Sequence, residues 1–148
     1  MSEMHAVRAI SAEDAVAVRW PILRPGFPRE TAIFAGDEDA ETRHFGAYAG
    51  GEIVGVASIY RAELPEKSAL AAWQLRGMAT LDAVRGGGHG AALLAAVEQY
   101  VRQKSGAFAW CNARVAAAGF YRRHGWQILG EVFDIPSVGP HYRMLREL

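Results

Sequence analysis

The sequence has little that would tie it to a disulfide-stabilised, membrane-spanning or polyanion-binding class of protein. It contains one cysteine among 148 residues, Cys111, which excludes an internal disulfide and suits a reducing compartment. Lysine and arginine together number 16, as do aspartate and glutamate, so no net charge attracts nucleic acid or an acidic membrane. No apolar run approaches the ~20 residues that a membrane-spanning helix needs.

The sequence is rich in apolar residues instead. About half of it, 51%, is hydrophobic, which is enough to close a core without metals or disulfides. No repeat or linker interrupts it, so we expect residues 1–148 to form a single domain. The first residues, Met1–His5, lack the basic and then apolar build of a signal peptide. We therefore expect a soluble cytoplasmic protein with no membrane or nucleic-acid partner.

Metal binding receives no support from the residue pattern, so no metal cofactor is expected. The five histidines have no ligand-like spacing with one another or with Cys111; they are His5, His44, His89, His124 and His141. The basic run Arg122-Arg123-His124 is typical of a solvated helix end, where positive charge suits the helix dipole.

The first half of the chain predicts a strand, a helix, a long loop and three further strands. A short strand over 7–10 precedes Ser11, whose hydroxyl can cap a helix that we expect to falter at Trp20-Pro21. Residues 21–41 are rich in proline, glycine and acidic residues, which predicts an irregular connection. Strands over 44–49 and 53–60 flank Gly50-Gly51, a good hairpin turn, and another strand covers 72–81.

The second half begins with a glycine run and an amphipathic helix. We expect Gly106 to end this helix by adopting the left-handed conformation. A strand over 108–111, a short helix over 116–124 closed by Gly125, and a closing antiparallel pair follow. The order β-α-loop-β-β-β-α-β-α-β-β indicates a mixed α/β structure.

The run Arg85-Gly86-Gly87-Gly88-His89-Gly90 stands between a strand and a helix, which favours an anion site over a plain tight turn. Glycines let successive amides converge on a ligand, and the helix start adds N–H groups and partial positive charge. A nucleotide-hydrolysing loop would need Lys-Ser/Thr after the last glycine, but Ala91-Ala92 follows. A dinucleotide site would need an acidic residue near the end of the next strand, and 107–112 has none. A coenzyme A pyrophosphate is the remaining class.

The glycine run resembles the pyrophosphate loop Q/R-x-x-G-x-G/A of the GNAT superfamily of N-acetyltransferases, with Arg85, Gly88 and Gly90 at its defining positions. About thirty residues later, 117–126 reads AAGFYRRHGW, which is similar to the family's A-x-x-F-Y-x-x-x-G-F. With the element order, the resemblance extends over nearly the whole chain. It implies a small stand-alone, bacterial-type member with an acyl-CoA N-acyltransferase fold. In that fold a mostly antiparallel, twisted sheet is flanked by helices, and its strands 4 and 5 splay apart.

The resemblance also implies a set of site residues. The pantetheine arm of acetyl-CoA would pair with the strand that contains Met78, Ala79 and Thr80, and Tyr121 would act as general acid toward the departing thiolate. Where many members carry a coenzyme-contacting Asn, this chain has Arg114, with Asn112 two residues earlier, and either could make the contact. The implied cofactor-binding set is Met78, Ala79, Thr80, Arg85, Gly86, Gly87, Gly88, His89, Gly90, Ala91, Asn112 and Arg114.

The base that deprotonates the amine is not identified by the sequence. The presumed fourth strand has no Glu or Asp over 73–78, and the candidates elsewhere are His44, Glu63, Glu66 and His141. We expect His44 to be a satisfied core residue and Cys111 a small buried hydrophobe rather than an acyl carrier.

The acceptor pocket is the subject of a further hypothesis. In one hypothesis the acceptor pocket is shaped by His141, Tyr142 and the 21–41 loop. In the other, His141 only forms a hydrogen bond to the backbone in a turn that connects two strands. Either way the acceptor's identity stays open.

The function that these residues and the resemblance imply is acyl transfer. The enzyme would move an acetyl or small acyl group from acetyl-CoA to a primary amine of a small molecule or peptide, by direct transfer in a ternary complex. Such enzymes often form homodimers. The alternative is a non-catalytic acyl-CoA-binding sensor or interaction module, which the missing carboxylate on the fourth strand keeps open.

Overall fold

Local signals start the fold as the sequence predicts. The computed structural model describes residues 6–67 and 71–148, and in it strand β1 covers Ala6–Ile10 and helix α1 covers Ala12–Leu23. The Ser11 hydroxyl accepts a hydrogen bond of 3.0 Å from the Asp14 amide, which satisfies one N–H group of the first helical turn.

Proline interrupts α1 less than expected. Pro21 lies inside the helix, which continues to Leu23, so the expected break at Trp20-Pro21 is wrong. A proline removes one N–H donor, but the Arg24 N–H still donates to the Trp20 carbonyl at 2.9 Å. The loss of one backbone hydrogen bond near the end of a helix is tolerated where packing of the buried face stabilises the helix.

The next three strands include the expected hairpin. They are β2 (Arg43–Ala49), β3 (Glu52–Arg61) and β4 (Ala72–Thr80). Gly50 and Gly51 have φ values of 59° and 85°, the left-handed pair that a two-residue hairpin turn uses.

The rest of the chain contains two helices and three strands: α2 (His89–Gln103), β5 (Phe108–Arg114), α3 (Ala118–Arg123), β6 (Gln127–Ile135) and β7 (Gly139–Glu147). Within residues 6–67 and 71–148, four short 3-10 helices lie in the connections between strands and helices, over Arg29–Ala32, Pro65–Lys67, Asp82–Val84 and Val115–Ala117. The predicted order of strands and helices is confirmed.

The end of α2 corrects one glycine role. Ser105, with φ 60°, adopts the left-handed conformation, and the Gly106 N–H donates to the Val101 carbonyl at 2.9 Å. The expectation that Gly106 itself turns left-handed is therefore wrong. Glycine is needed there for space, since a Cβ would lie 2.5 Å from Val101 Cγ1 and 2.6 Å from Trp73 Cδ1.

The strands form one seven-stranded sheet in the order β1-β2-β3-β4-β5-β7-β6. The β1–β2, β2–β3, β5–β7 and β6–β7 pairs are antiparallel, which confirms a mostly antiparallel sheet. Strands β4 and β5 pair in parallel over Ala72–Gln74 and Phe108–Trp110, at the beginning of each strand. The separation of the two strands further along stays a prediction.

The chain divides into two compact units. The first comprises the described residues up to Arg61 with Leu75–Tyr100, and its buried side chains include Val54, Val56, Ile59, Leu75, Leu93, Leu94 and Val97. The second comprises Ala62–Gln74 and Val101–Leu148, apart from 68–70, and its core includes Leu64, Ala72, Phe108, Trp110 and Leu145. That residues 1–148 act as one domain stays a prediction.

Candidate functional site

The glycine run lies at the start of α2, in the first unit. The chain leaves β4, makes the 3-10 helix Asp82–Val84, and passes through the run into the helix at His89. Gly86 and Gly88 have φ values of 84° and 91°, where side chains with a Cβ are strained. A Cβ on Gly86 would meet no atom within 4 Å, so the space beside it is open.

Not every amide of this run is available to a ligand. The N–H groups of Val84, Arg85 and Gly87 donate to the carbonyls of Leu81, Asp82 and Val84, at 3.1, 3.2 and 3.1 Å. These three amides therefore donate within successive turns of the chain, and the convergence of amides expected for the glycine run does not include them.

The helix start is the part of the run where helical geometry directs backbone N–H groups to partners outside the helix. The Ala92 N–H donates to the Gly88 carbonyl at 3.1 Å, which begins the helical ladder. An α-helix leaves the N–H groups of its first turn without partners inside the helix, and His89, Gly90 and Ala91 occupy that turn. The helix dipole adds partial positive charge at the same place.

Two side chains border the loop. Arg85 Nη2 lies 3.2 Å from Asp82 Oδ1, but their side chains are 62% and 88% exposed, so solvent screens this pair. His89 is half-buried, and its Nδ1 would lie 3.3 Å from a Cβ on Gly87. Arg85 can therefore turn toward an anion at little cost.

The strand that leads into the loop has the expected alternation. Ala79 is buried, while Met78 and Thr80 are half-buried. Strand β3 approaches closely from one side, since a Cβ on Gly55 would lie 2.9 Å from Thr80 Cγ2 and 3.2 Å from the Ala79 carbonyl oxygen. Met78–Thr80 and the glycine run belong to the same compact unit.

Tyr121 belongs to the second unit and lies on α3. Its ring packs between those of Phe120 and Trp126, at centroid distances of 5.3 and 5.5 Å. Two bonds close the helix after it: the Trp126 N–H donates to the Tyr121 carbonyl at 3.0 Å, and the Gly125 N–H to the Arg122 carbonyl at 3.1 Å. The two bonds form a Schellman motif, and Gly125, with φ 92°, closes the helix as expected.

Burial controls the protonation of Tyr121 and of its neighbour Cys111. Burial raises the pKa of Tyr121 well above its ordinary value, and the adjacent Cys111 adds to the rise, so the phenol keeps its proton at neutral pH. The Cys111 thiol is 2% exposed, and burial raises its pKa against the opposing effect of the Arg143 guanidinium. A thiol held in this form is a poor nucleophile, which supports its expected role as a small buried hydrophobe.

Asn112 and Arg114 have different surroundings on β5. The Arg143 Nη1 donates to Asn112 Oδ1 at 2.7 Å, so the amide oxygen of Asn112 already has a partner. Arg114 is exposed at the end of the strand, opposite His141 on β7. Which of the two contacts coenzyme A stays open.

The four candidate bases lie in unlike settings. Glu63 is exposed, and Glu66 Oε2 accepts from Arg143 Nε at 3.4 Å. His141 is buried, with its Nδ1 2.7 Å from the Gly139 carbonyl oxygen, which supports the turn-forming reading of that residue. His44 is buried with both ring nitrogens in contact with hydrogen-bonding partners, which confirms it as a satisfied core residue.

His44 is part of a buried polar group in the first unit, the Arg19 cluster, which comprises Arg19, Asp37, His44, Ser58 and Tyr60. Arg19 Nη1 donates to Asp37 Oδ2 at 2.9 Å, and Arg19 Nη2 donates to Ser58 Oγ at the same distance. Tyr60 donates a short hydrogen bond to Asp37. Residue patterns missed this cluster, and the one available signal was an arginine on the apolar side of α1.

The Arg19 cluster keeps its carboxylate ionised. Burial alone would raise the pKa of Asp37, but hydrogen bonds from Arg19, Tyr60 and the Phe34 amide outweigh it and hold that pKa below its ordinary value of 3.8. Burial raises the pKa of Tyr60, so it stays a donor. The cluster therefore contains a closed ion pair rather than a proton-accepting base.

Comparison with known proteins decides the family. The model of the acetyltransferase (GNAT) family matches residues 7–126. The uncharacterized N-acetyltransferase YitI of Bacillus subtilis (strain 168) is 35% identical over 145 residues, which cover 98% of this chain and 97% of that protein. This chain belongs to the GNAT family.

Solved structures share the fold. Escherichia coli ElaA matches with a TM-score of 0.78 and 19% identity, over 97% of this chain and 100% of its own. A GCN5-related N-acetyltransferase from Kribbella flavida matches with a TM-score of 0.72 and 17% identity, over 100% of both chains. The resemblance seen in the motifs is thus confirmed, and the chain is an acyl-CoA-dependent N-acetyltransferase of the GNAT type.

Two further observations concern other site classes. Among residues 6–67 and 71–148, no group of three or more His, Cys, Asp or Glu side chains is arranged to hold a metal ion; His5 lies outside these ranges. In the same part of the chain, no helix has the length and apolar character to cross a membrane.

Proposed function

We propose that this GNAT protein transfers an acetyl group, or a similarly small acyl group, from acetyl-CoA to a primary amine of a small molecule or peptide. Transfer is direct, within a ternary complex of enzyme, acyl-CoA and amine. The observation that carries the proposal is the glycine run: two left-handed glycines, Gly86 and Gly88, open helix α2 in the register of the family's pyrophosphate loop.

The loop suits a diphosphate through its donors and its open space. The first turn of an α-helix directs its N–H groups outward along the helix axis, where the dipole favours negative charge, and the glycine run lies at this end of α2. Gly86 leaves room for phosphate oxygens to approach the backbone, and Arg85 adds a formal positive charge nearby. In this proposal the backbone of Met78, Ala79 and Thr80 pairs with the pantetheine arm.

The chemical step makes one C–N bond and breaks one C–S bond. The neutral amine attacks the thioester carbonyl, the tetrahedral intermediate expels the thiolate, and the nitrogen loses a proton. Tyr121 is the proposed donor of a proton to the thiolate. Burial raises the pKa of Tyr121, so the phenol is protonated at neutral pH, as a proton donor must be.

The amine's own proton leaves without a dedicated carboxylate on β4. His44 is unsuited to accept it, since its two ring nitrogens contact Ser58 Oγ and the Asp37 carbonyl oxygen at 2.6 and 2.9 Å. We propose that water carries this proton away, so the rate should rise with pH as more of the amine becomes neutral.

The direct test is acetyl-CoA-dependent thiol release with a panel of amines. Gly86→Glu places a carboxylate beside the proposed diphosphate, and we expect the KM for acetyl-CoA to rise at least tenfold. Gly50→Glu is the matched control, because Gly50 also has positive φ, of 59°, and open space around a Cβ. Equal KM values for the two variants would contradict the loop's role.

Tyr121→Phe tests the proton donor. Loss of a general acid lowers kcat by roughly 10²- to 10⁴-fold while leaving acetyl-CoA binding unchanged. A thioester with a more acidic thiol needs less protonation, so it should recover part of the lost rate. An unchanged kcat in the variant would remove Tyr121 from the mechanism.

A non-catalytic acyl-CoA-binding module is the alternative that the experiment has to exclude, because β4 has no carboxylate over Ala72–Thr80. Titration calorimetry and the thiol-release assay together separate the two functions. A sensor binds acetyl-CoA yet releases no thiol with any amine, whereas an enzyme does both.

A further inference from the structure

The side chain of Phe34 lies among three guanidinium groups of the first unit. The Cζ atoms of Arg19 and Arg76 lie 4.1 and 4.2 Å from the centre of its ring, and that of Arg24 lies 5.8 Å away. Arg76 Cζ also lies 5.8 Å from the Tyr60 ring centre. Like charges gathered at one ring repel each other unless something balances them.

Only part of this charge is balanced by the protein. Arg19 is fully buried and pairs with Asp37 at 2.9 Å. Arg76 is half-buried, and within residues 6–67 and 71–148 it has ring contacts but neither an ion pair nor a hydrogen bond. Aromatic faces attract a cation but do not satisfy the five N–H donors of a guanidinium. Arg76 therefore retains donors for an anion.

The surroundings of Arg76 strengthen its attraction for an anion. Phe34 and Tyr60 are 9% and 5% exposed, so they form an apolar wall that keeps high-dielectric water off one side of the guanidinium. The stacked rings also restrict the side chain, which lowers the entropy cost of holding a ligand.

The position of Arg76 on β4 relates it to the acyl group. It directly precedes Gly77, whose φ of 67° marks a bend in the strand, and stands two residues before Met78. Only Gly77 separates Arg76 from Met78 in the chain. An acceptor whose amine lies beside the pantetheine arm and whose other end reaches Arg76 is therefore a small molecule.

We propose that Arg76 binds an anionic group of the acceptor, so that the substrate is a small amine that also carries a carboxylate or phosphate. This inference rests on the proposed function, since it takes Met78–Thr80 as the strand that receives the pantetheine arm. The cation at Arg76 draws the anionic end of the acceptor toward itself and turns the amine end away. The same charge disfavours diamines, whose second ammonium would face the guanidinium.

The experiment compares amines that differ in one charge, with acetyl-CoA as donor. The pairs are glycine with glycinamide, β-alanine with β-alaninamide, and phosphoethanolamine with ethanolamine, and 1,3-diaminopropane is added as a cationic amine. We expect the anionic member of at least one pair to have a kcat/KM at least tenfold above its neutral partner. The first two pairs and the third distinguish a carboxylate from a phosphate ligand.

Variants then assign this preference to Arg76. Arg76→Gln should lower kcat/KM for the preferred anionic amine by about 10- to 100-fold and leave its neutral partner unchanged. Arg76→Lys should lose less, because it keeps the charge without the planar fork. Arg43→Gln is the matched control, because the Arg43 Cζ atom also lies over an aromatic ring, 5.0 Å from the centre of Tyr100. This variant should leave kcat/KM unchanged for both members of the pair.

The outcomes separate the two proposals. Thiol release with neutral and anionic amines alike, or equal losses for both members of a pair in Arg76→Gln, overturns the anion site and leaves the acyltransferase intact. No thiol release with any amine contradicts the proposed function. In that case calorimetry with N-acetyl-β-alanine and its amide, in the presence of coenzyme A, still reads the anion site, and equal affinities for the two overturn it.

Discussion

Arg19 Nη1 lies 2.9 Å from Asp37 Oδ2, and the two side chains are 0% and 4% exposed. This pair connects helix α1 to the loop that follows it, because Arg19 Nη1 also donates to the Ala32 carbonyl at 2.7 Å. Asp37 in turn accepts from the Phe34 amide at 2.8 Å. The irregular segment between α1 and β2 is therefore held from within by one buried ion pair.

We predict that Asp37→Ala lowers the free energy of unfolding by about 3–5 kcal/mol, because it leaves the Arg19 charge buried and unpaired. Denaturant unfolding measures this change. Glu38→Gln alters the neighbouring carboxylate, which is exposed, and should change stability by less than about 0.5 kcal/mol. Similar losses in the two variants would mean that the pair contributes no more than a surface charge.

Stability should also depend on pH through Asp37. Its pKa in the folded protein is below the ordinary 3.8, so its contribution is fully present above about pH 4 to 5. That contribution is lost as pH falls through the lowered folded value, because the carboxylate must then be protonated. The difference in unfolding free energy between the wild type and Asp37→Asn should be constant from pH 7 to 5 and shrink below pH 4. A difference that grows on acidification would contradict the lowered pKa.

Substitution of Gly77 should destabilise the protein, because the Arg19 side chain occupies the space that a Cβ would need. Its φ is 67°, and a Cβ there would lie 2.7 Å from Arg19 Nε, so we predict a cost of about 1–3 kcal/mol for Gly77→Ala. Gly51→Ala, with φ 85° and open space, measures the backbone strain alone. In an Arg19→Met background the clash is relieved, so the cost of Gly77→Ala should fall toward that of Gly51→Ala. Additive costs would rule out the contact.

Two glycines at opposite ends of α3 should respond with opposite signs. Gly125 has φ 92° and a Cβ there would clash with Arg146 Nη1, so Gly125→Ala should cost about 1–2 kcal/mol. Gly119 lies in the helix, and a Cβ there would meet only Arg123 Nη1, at 3.6 Å. Gly119→Ala should therefore stabilise by about 0.4–1 kcal/mol. Thermal unfolding of both variants checks the signs, and a loss in both would contradict the account.

Short-range signals in the sequence predicted much of the fold. The Ser11 cap, the Gly50-Gly51 hairpin and the Gly125 helix end each depend on residues a few positions apart, and all three were found. Where a local rule competed with packing, it failed: α1 continues through Pro21, and Gly106 is required by Trp73 and Val101 rather than by its own φ.

The features of the candidate site likewise fall into those that the sequence predicted and those that only the structure showed. The sequence alone determined the glycine run before α2 and the family to which the chain belongs, because both reside in contiguous motifs. The structure showed that the amides of Val84, Arg85 and Gly87 donate within local turns, which the motif did not predict. Tertiary structure alone decided the composition of the Arg19 cluster. In that cluster Arg19 meets Ser58 and Tyr60, 39 and 41 positions away, and a buried polar contact of this kind depends on which strands pack together, which no periodicity records.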